Sequence, residues 1–312
     1  MREPMHLSPI KDTAKVWFYR SMGLTATTER HLDFYLSRRM YRRVFGREPD
    51  LVNPTLFSEK VTARKLFERR PIFTTINDKV LVRDFVAERI GPQYLSKLHF
   101  TGERFEDIDF DRLPDEFVIK ANHGCHWLAL VEDKKTFDRE KARRRFRRWL
   151  RDSYYLYSRE RMYKDIRRKI IVEEYLRESS GAPATDYKLF VYDGVVHFLR
   201  VSAGERDGDR NFDFFDSTGR HLRVAGISPR NRGHPPPAAK AVEFPANFEE
   251  LSQIAGKLAQ GFDFMRVDLY SPKGRILFGE MTPLPTGGVI AYDPPEFDRI
   301  LGAPWRLSLN GA

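Results

Sequence analysis

Residues 264–282 read FMRVDLYSPKGRILFGEMT. Two apolar runs, FMRVDLYS and RILFGEMT, flank Pro272-Lys273-Gly274, so the segment reads as two strands joined by a turn. A strand buried on both faces should be apolar throughout. Here Arg266 and Asp268 interrupt the first strand and Glu280 the second. Charges embedded in strand centres are costly unless they are paired or hold a ligand.

Three more apolar strands carry a charge that packing does not require. They are FVIKAN with Lys120, IIVEEYL with Glu173 and Glu174, and DYKLFVY with Lys188. Cations and carboxylates distributed over strands in this way point to a polyphosphate and its metal. Lys120, Lys188 and Arg266 would neutralise phosphate oxygens, and Asp268 with Glu280 would offer hard oxygen ligands to Mg²⁺.

Around these strands the periodicity predicts helices over residues 1 to about 45, over SEKVTARKLFERR with Ser58 as N-cap, and over NDKVLVRDFVAERIG, which starts near Asn77 or Asp78 and stops at Gly91. EFVIKANH and WLALVED read as a hairpin around His123-Gly124-Cys125-His126. Asp138 caps a basic helix over 139–151, whose Phe146, Trp149 and Leu150 form one apolar stripe. An Asp193-Gly194 turn joins DYKLFVYDG to VVHFLRVS. Residues 204–244 read as loop, 248–261 as helix, and the tail from Pro283 as irregular. The pattern is mixed, with mostly antiparallel strands, and lacks the βαβ alternation of a Rossmann sheet.

The chain has 312 residues, a net charge of +10 and a single cysteine, Cys125. One cysteine excludes an internal disulfide and a Cys-cluster metal site. No apolar run approaches the ~20 residues needed to cross a bilayer, and MREPMHLSPIKD lacks the apolar core of a signal peptide. A cytoplasmic setting is therefore expected. The stretch 139–151 holds eight Lys/Arg against one Glu. It reads either as a solvated face or as a docking site for an anionic substrate or membrane surface.

From Leu51 to about Trp305 the sequence resembles the TupA-like branch of the ATP-grasp superfamily. The resemblance lies in FSEKVTARKL, NDKVLVRDFV, LPDEFVIKANHG, IIVEEYL, DYKLFVYDG and FMRVDLYSPKGRILFGEMT, in that order. It implies an α+β ATP-grasp fold, in which two α+β lobes clasp ATP with Mg²⁺, preceded by a short, mostly helical N-terminal region. The expected division is a helical region over 1–70 and an ATP-grasp domain over 71–312. Lobe 1 would cover about 71–172, including the basic segment 139–169, and lobe 2 about 173–305.

The resemblance also implies roles. Lys79, Lys120 and Lys188 would contact the phosphates, and the loop with His123 and Gly124 would fold over them. Glu173, Glu174, Tyr175 and Leu176 would form the hinge that binds adenine and ribose. Arg266 and Lys188 would stabilise the transferring phosphoryl group. Asp268, Glu280 and Thr282 would hold metal, Thr282 standing where many ATP-grasp enzymes have Asn. His126 stands where related loops often carry glycine. Arg200, Arg206, Arg210 and His126 are candidates for substrate recognition, and the glycines of 283–288 would bring backbone N–H groups to the activated carboxylate.

The activity implied is carboxylate–amine ligation through an acylphosphate. Its partners would be small carboxylate and amine substrates or an anionic saccharide or polymer acceptor, in the making of cell-surface polymers. Two other readings stay open. A kinase would transfer phosphate to a hydroxyl from the same nucleotide site. A polyanion or nucleic-acid binder would use the basic helix, but it leaves Asp268 and Glu280 unexplained. The sequence does not define the oligomeric state.

Overall fold

A computed structural model describes residues 25–203, 211–227 and 243–309. Within them α1 spans Ala26–Phe45, held at its start by Thr25, whose hydroxyl accepts the Thr28 N–H, and ended by Gly46 at φ 69°. Its buried positions are Asp33, Ser37 and Tyr41, one per turn, while Phe34 and Tyr35 face solvent. The helix therefore docks through polar groups. Asp33 accepts Tyr155 Oη–H at 2.8 Å and Arg159 Nε–H at 2.8 Å. The helical expectation for residues 1–24 lies outside the described residues.

Helix α2 (Phe57–Phe67) is buried along almost its whole length. Ser58 is not its N-cap. The Glu59 carboxylate takes the Thr55 and Leu56 N–H groups instead, and Ser58 sits inside the first turn, donating from Oγ to Asp298 Oδ2. Helices α3 (Ile72–Asn77) and α4 (Leu81–Ile90) follow. Asp78 Oδ1 accepts the Val80 N–H at 2.8 Å before α4, and Gly91 ends it at φ 105°.

The first sheet is four-stranded and antiparallel. Its strands β1 (Leu98–Gly102), β2 (Phe117–Ala121), β3 (Leu128–Val131) and β4 (Ile170–Glu174) lie in the order β1-β4-β2-β3. The basic helix α5 (Arg139–Arg151) covers one face. Its Asp138 side chain accepts the Lys141 N–H, and Ala142, Phe146 and Trp149 enter a core with Phe105, Phe117 and Val172. Leu150, the third residue of the expected stripe, is only half-buried against that core. A short helix α6 (Tyr154–Ser158) leads back to β4.

The second sheet is six-stranded and antiparallel throughout. It contains β5 (Asp186–Tyr192), β6 (Val195–Ala203), β7 (Asn211–Asp216) and β8 (His221–Leu222), then, after β9 (Ala225–Ile227) and α7 (Phe248–Ala259), β10 (Phe264–Tyr270) and β11 (Leu277–Thr282). The order is β11-β10-β5-β6-β7-β8. Asp193 and Gly194, at φ 46° and 83°, make the tight turn between β5 and β6. Helix α7 packs over β10, β5 and β6.

Residues 211–227, expected as loop, thus add three strands. The tail also has structure: β12 (Ala291–Asp293) pairs with β9, and α8 (Phe297–Gly302) packs on α2. The turn at Pro285–Gly288 lies hard against α2. A Cβ on Gly288 would stand 2.8 Å from Thr62 Oγ1, and its φ is +76°. Phe73, Ile76, Val82 and Val86 of α3 and α4 join the core of the second sheet. The stretch expected to open the first lobe therefore shares its packing with the second. Among the described residues no helix is long and apolar enough to cross a membrane.

Candidate functional site

Strand register gathers the embedded charges. Asp268 lies opposite Lys188 on β5 and Glu280 on β11, and Lys188 lies opposite Arg200 on β6. Cross-strand partners point to the same face, so Arg200, Lys188, Asp268 and Glu280 form one row across four strands. Arg266 and Thr282 form the next pair along the same face, because side chains two apart on a strand share a side. A bulge adjusts β11 here: the register slips between Asp268 and Leu269, leaving Gly279 as the extra residue. A Cβ at Gly279 would lie 2.7 Å from the Tyr270 ring and 3.0 Å from the Asp268 carbonyl oxygen, so the bulge needs glycine.

The row is electrically dense. Arg266 donates to Asp268 from Nε at 2.6 Å and from Nη2 at 2.8 Å, and its Nη2 also reaches Thr282 Oγ1 at 2.9 Å. Lys188 donates to Asp268 Oδ2 at 2.6 Å. Burial alone would raise the Asp268 carboxyl, but Arg266 and Lys188 hold it below the usual carboxylate range. Burial would lower Arg266, yet Asp268 and Glu280 push it higher still. Glu280 remains half-exposed, with Arg266 Nη2 at 3.8 Å. Arg200 is lowered by burial and by the neighbouring Arg266. It stands inside β6, not at its end. Arg206 and Arg210 lie outside the described residues.

The first sheet presents its own charged face. Lys120 and Glu173 lie on the side of β2 and β4 away from α5, and Lys120 Nζ donates to Glu173 Oε2 at 2.8 Å. Glu173 Oε1 takes Arg83 Nη1 at 2.6 Å and Ser96 Oγ at 3.2 Å. Burial would raise this carboxyl, but Lys120 and Arg83 keep it low. Both oxygens of Glu173 are thus engaged inside the lobe, which departs from a hinge carboxylate facing ribose. The hinge backbone is ordered by other contacts. The Glu174 N–H donates to Lys97 O at 2.9 Å, the Ala184 N–H to Leu176 O at 3.1 Å, and Tyr175 Oη–H to Glu132 at 3.3 Å.

The β2–β3 loop bridges the two sheets. Trp127 packs against both cores and Cys125 against that of the second sheet. Cys125 and Glu280 both lie near enough to the buried Tyr163 to raise its hydroxyl, after burial itself. Lys79 Nζ donates to Gly124 O at 2.7 Å, so this lysine braces the loop. A Cβ on Gly124 would lie 2.6 Å from the Trp127 ring.

His123 departs from the expected ligand-facing role. It is 1% exposed, its Nε2 lies 3.0 Å from Trp149 O, and its Nδ1 lies 3.2 Å from Asn122 Oδ1. Burial pushes its pKa down to about 4. His126 is the exposed member of the loop, at φ 59°. That is the left-handed conformation glycine takes most readily, which gives a physical reason for glycine at this place in related loops.

Sequence reasoning missed Arg83, Asn122 and Asp186. Asn122 Nδ2 ties the loop to Asp78 at 2.8 Å and to Arg167 O at 2.9 Å. No local pattern marks Arg83 or Asn122, whose partners lie tens of positions away, and Asp186, although it pairs with Lys188 two residues on, reads as an ordinary strand residue. Among the described residues no group of three or more His, Cys, Asp and Glu forms a metal cage. The donor chemistry at Asp268 and Glu280 still fits Mg²⁺, which is commonly bound by one or two carboxylates together with substrate phosphates. A buried carboxylate oxygen with no hydrogen-bond partner among the described residues, Asp186 Oδ1, adds acceptor capacity on the same face. Two surface hollows, of about 340 and 290 Å³, are lined by other residues and lie apart from the row.

Residues 59–306 match the TupA-like ATP-grasp family, and the chain belongs to it. No curated protein matches the chain. Among solved structures it is similar to the ATP-grasp ligase PsnB complexed with minimal precursor, Mg and ADP, at 13% identity and a TM-score of 0.39, covering 90% of this chain and 67% of that one. It is also similar to D-alanine–D-alanine ligase from Bacillus anthracis complexed with ATP, at 12% identity and a TM-score of 0.39, covering 67% and 55%. A third is N5-carboxyaminoimidazole ribonucleotide synthetase from Thermus thermophilus, at 14% identity and a TM-score of 0.37, covering 67% and 45%. The chain spans little more than half the length of other PsnB and Bacillus anthracis ligase chains that it matches. The family match and the paired α+β sheets define an ATP-grasp fold.

Proposed function

We propose that the protein is an ATP-dependent carboxylate–amine ligase whose reaction centre is the row Arg200–Lys188–Asp268–Glu280. The observation that carries this reading is the register of β6, β5, β10 and β11, which puts two cations and two carboxylates side by side on one sheet face. ATP would supply the phosphoryl group that activates a carboxylate. Lys188 and Arg266 would face the phosphate oxygens, and Asp268 and Glu280 would hold Mg²⁺, with Thr282 at the edge of the same set. The loop around Gly124, braced by Lys79, would cover the phosphates, with Lys120 on the facing sheet. The hinge at 174–176 would take adenine.

The two sheets correspond to the two lobes in this reading, and α2 to α4 belong with the second. Arg200 and His126 would meet the acceptor. An anionic saccharide or peptide polymer is the acceptor class that the basic surface of α5 suits.

The test is ADP release from Mg-ATP with mixed amino-acid and amine pools, followed by mass analysis of the product. An amide is expected, with turnover reduced 10²–10³-fold or more in Asp268→Asn, the scale of losing one group that stabilises transition-state charge. A stable phosphoester in place of an amide would make the protein a kinase. Equal turnover in Asp268→Asn would remove the row from the reaction.

A further inference from the structure

Lys188 stands between two buried carboxylates. Its ammonium lies 2.6 Å from Asp268 Oδ2 and 2.5 Å from Asp186 Oδ2. Asp186 opens β5 two residues earlier, on the same face and about 7 Å along the strand. The two carboxylates differ in what is left over. Both oxygens of Asp268 are engaged, by Arg266 and Lys188. Asp186 gives Oδ2 to Lys188, while Oδ1 is buried with no hydrogen-bond partner among the described residues. A buried acceptor left unsatisfied is costly, so a carboxylate at this place needs a reason beyond packing.

A divalent cation that binds Asp268 through Oδ2 meets an oxygen already accepting from Arg266 and Lys188. Two positive groups cannot share one lone-pair direction at contact distance, so binding there displaces the ammonium. A displaced ammonium then needs another anion. Asp186 is already in contact with it and has an oxygen to spare. We propose that Asp186 is a positioning residue: it takes over Lys188 when Asp268 turns to the metal, and so keeps the ammonium on the nucleotide-facing side without competing for the metal. This rests on the reading of the row as a metal–nucleotide site.

The exchange makes a prediction that simple charge or direct ligation does not. With Asp186 present, Lys188 has an alternative partner. In Asp186→Asn its remaining carboxylate is Asp268, and it competes with the metal there. The competition disappears once Lys188 itself is removed. The test measures Mn²⁺ affinity of the full chain by electron paramagnetic resonance of the free ion. The proteins are wild type, Asp186→Asn, Lys188→Met and the double variant, with thermal unfolding of each.

Asp186→Asn should weaken Mn²⁺ binding about tenfold, Lys188→Met should strengthen it, and Asp186→Asn should cost less than about twofold in the Lys188→Met background, which is the signature of coupled residues. Asp186→Glu should restore part of the loss and provides the test if the Asn variant fails to fold. Equal losses in both backgrounds would assign Asp186 to direct ligation or general charge and overturn the proposal. A lower melting temperature with unchanged Mn²⁺ affinity would overturn it in favour of a structural role. If wild type binds both Mn²⁺ and nucleotide while Asp186→Asn titrates identically, only this inference fails. If wild type binds neither, the metal–nucleotide reading fails with it.

Discussion

The two sheets bear the same kinds of residue on their charged faces, yet they use them differently. On the first sheet Glu173 is surrounded by Lys120, Arg83 and Ser96, and both of its oxygens are satisfied. On the second, Arg266 and Lys188 crowd Asp268, Glu280 stays half-exposed, and Asp186 Oδ1 has no partner among the described residues. A saturated cluster holds structure together, and a cluster with spare acceptors can take on a ligand. In the proposed reading this difference distinguishes a cluster that mainly braces its sheet from one that takes up the metal, although the sequence marks both with charges in apolar strands.

Breaking the brace should cost stability first. Glu173→Gln leaves Lys120 and Arg83 facing a neutral partner and should lower unfolding stability by about 3 kcal/mol, the scale for removing one member of a buried pair. Urea denaturation measures this. A loss below about 1 kcal/mol would mean that solvent already screens the cluster. The carboxyl is held low in the fold, so the unfolded chain takes up the proton first as pH falls. The stabilisation is present above the unfolded value of about 4.3 and is lost as pH falls through the folded value. The variant should therefore show a flatter acid limb than wild type.

His123 tests the join between the two regions, since it pins the bridging loop to the end of α5. Its folded pKa of about 4 lies below the unfolded value of about 6.5. Between those values the unfolded chain binds the extra proton, so stability falls as pH drops from about 6.5 toward 4, by up to about 3 kcal/mol. Comparing urea midpoints at pH 7 and pH 5 in wild type and His123→Gln should show this slope shrinking in the variant. An unchanged slope would place the titration elsewhere.

The smallest effect is expected at His126. A non-glycine residue at φ 59° carries a strain of about 1–2 kcal/mol, partly offset by the greater chain entropy that glycine brings to the unfolded state. His126→Gly should therefore change stability by less than about 1 kcal/mol. Any larger change in nucleotide affinity would make the imidazole a contact residue.

How much of this was legible follows from where each signal resides. The β10–β11 hairpin and its charges stood out because burial makes charge in an apolar strand conspicuous, and register follows once the strands are paired. Edge strand β1 was not legible. Its LHFTG has no clean alternation and is partly exposed along its length. Strands β7 to β9 sit among turn residues, and β8 and β9 are two and three residues long. Helix α1 was legible as a helix, but its docking face was not: it buries Asp33, Ser37 and Tyr41 against Tyr155, Arg159 and Ser58, partners far away in sequence. Glu173 looked like a hinge carboxylate because the sequence does not reveal that Arg83, 90 positions earlier, points at it. Asp186 was read only as part of DYKLFVY, since its spare oxygen is a property of the packed sheet.

The most direct test of the site on the second sheet is calorimetric titration of a non-hydrolysable ATP analogue with and without Mg²⁺, in wild type and Glu280→Gln. Glu280 is half-exposed and its ion pair with Arg266 is a distant one at 3.8 Å, so the variant should keep the wild-type melting temperature. Wild type should bind the analogue more tightly with Mg²⁺ than without it, and Glu280→Gln should lose that gain, by about tenfold or more. Mg²⁺-independent binding, or an undiminished Mg²⁺ gain in Glu280→Gln, would contradict the assignment of the metal and phosphates to the row on β6, β5, β10 and β11.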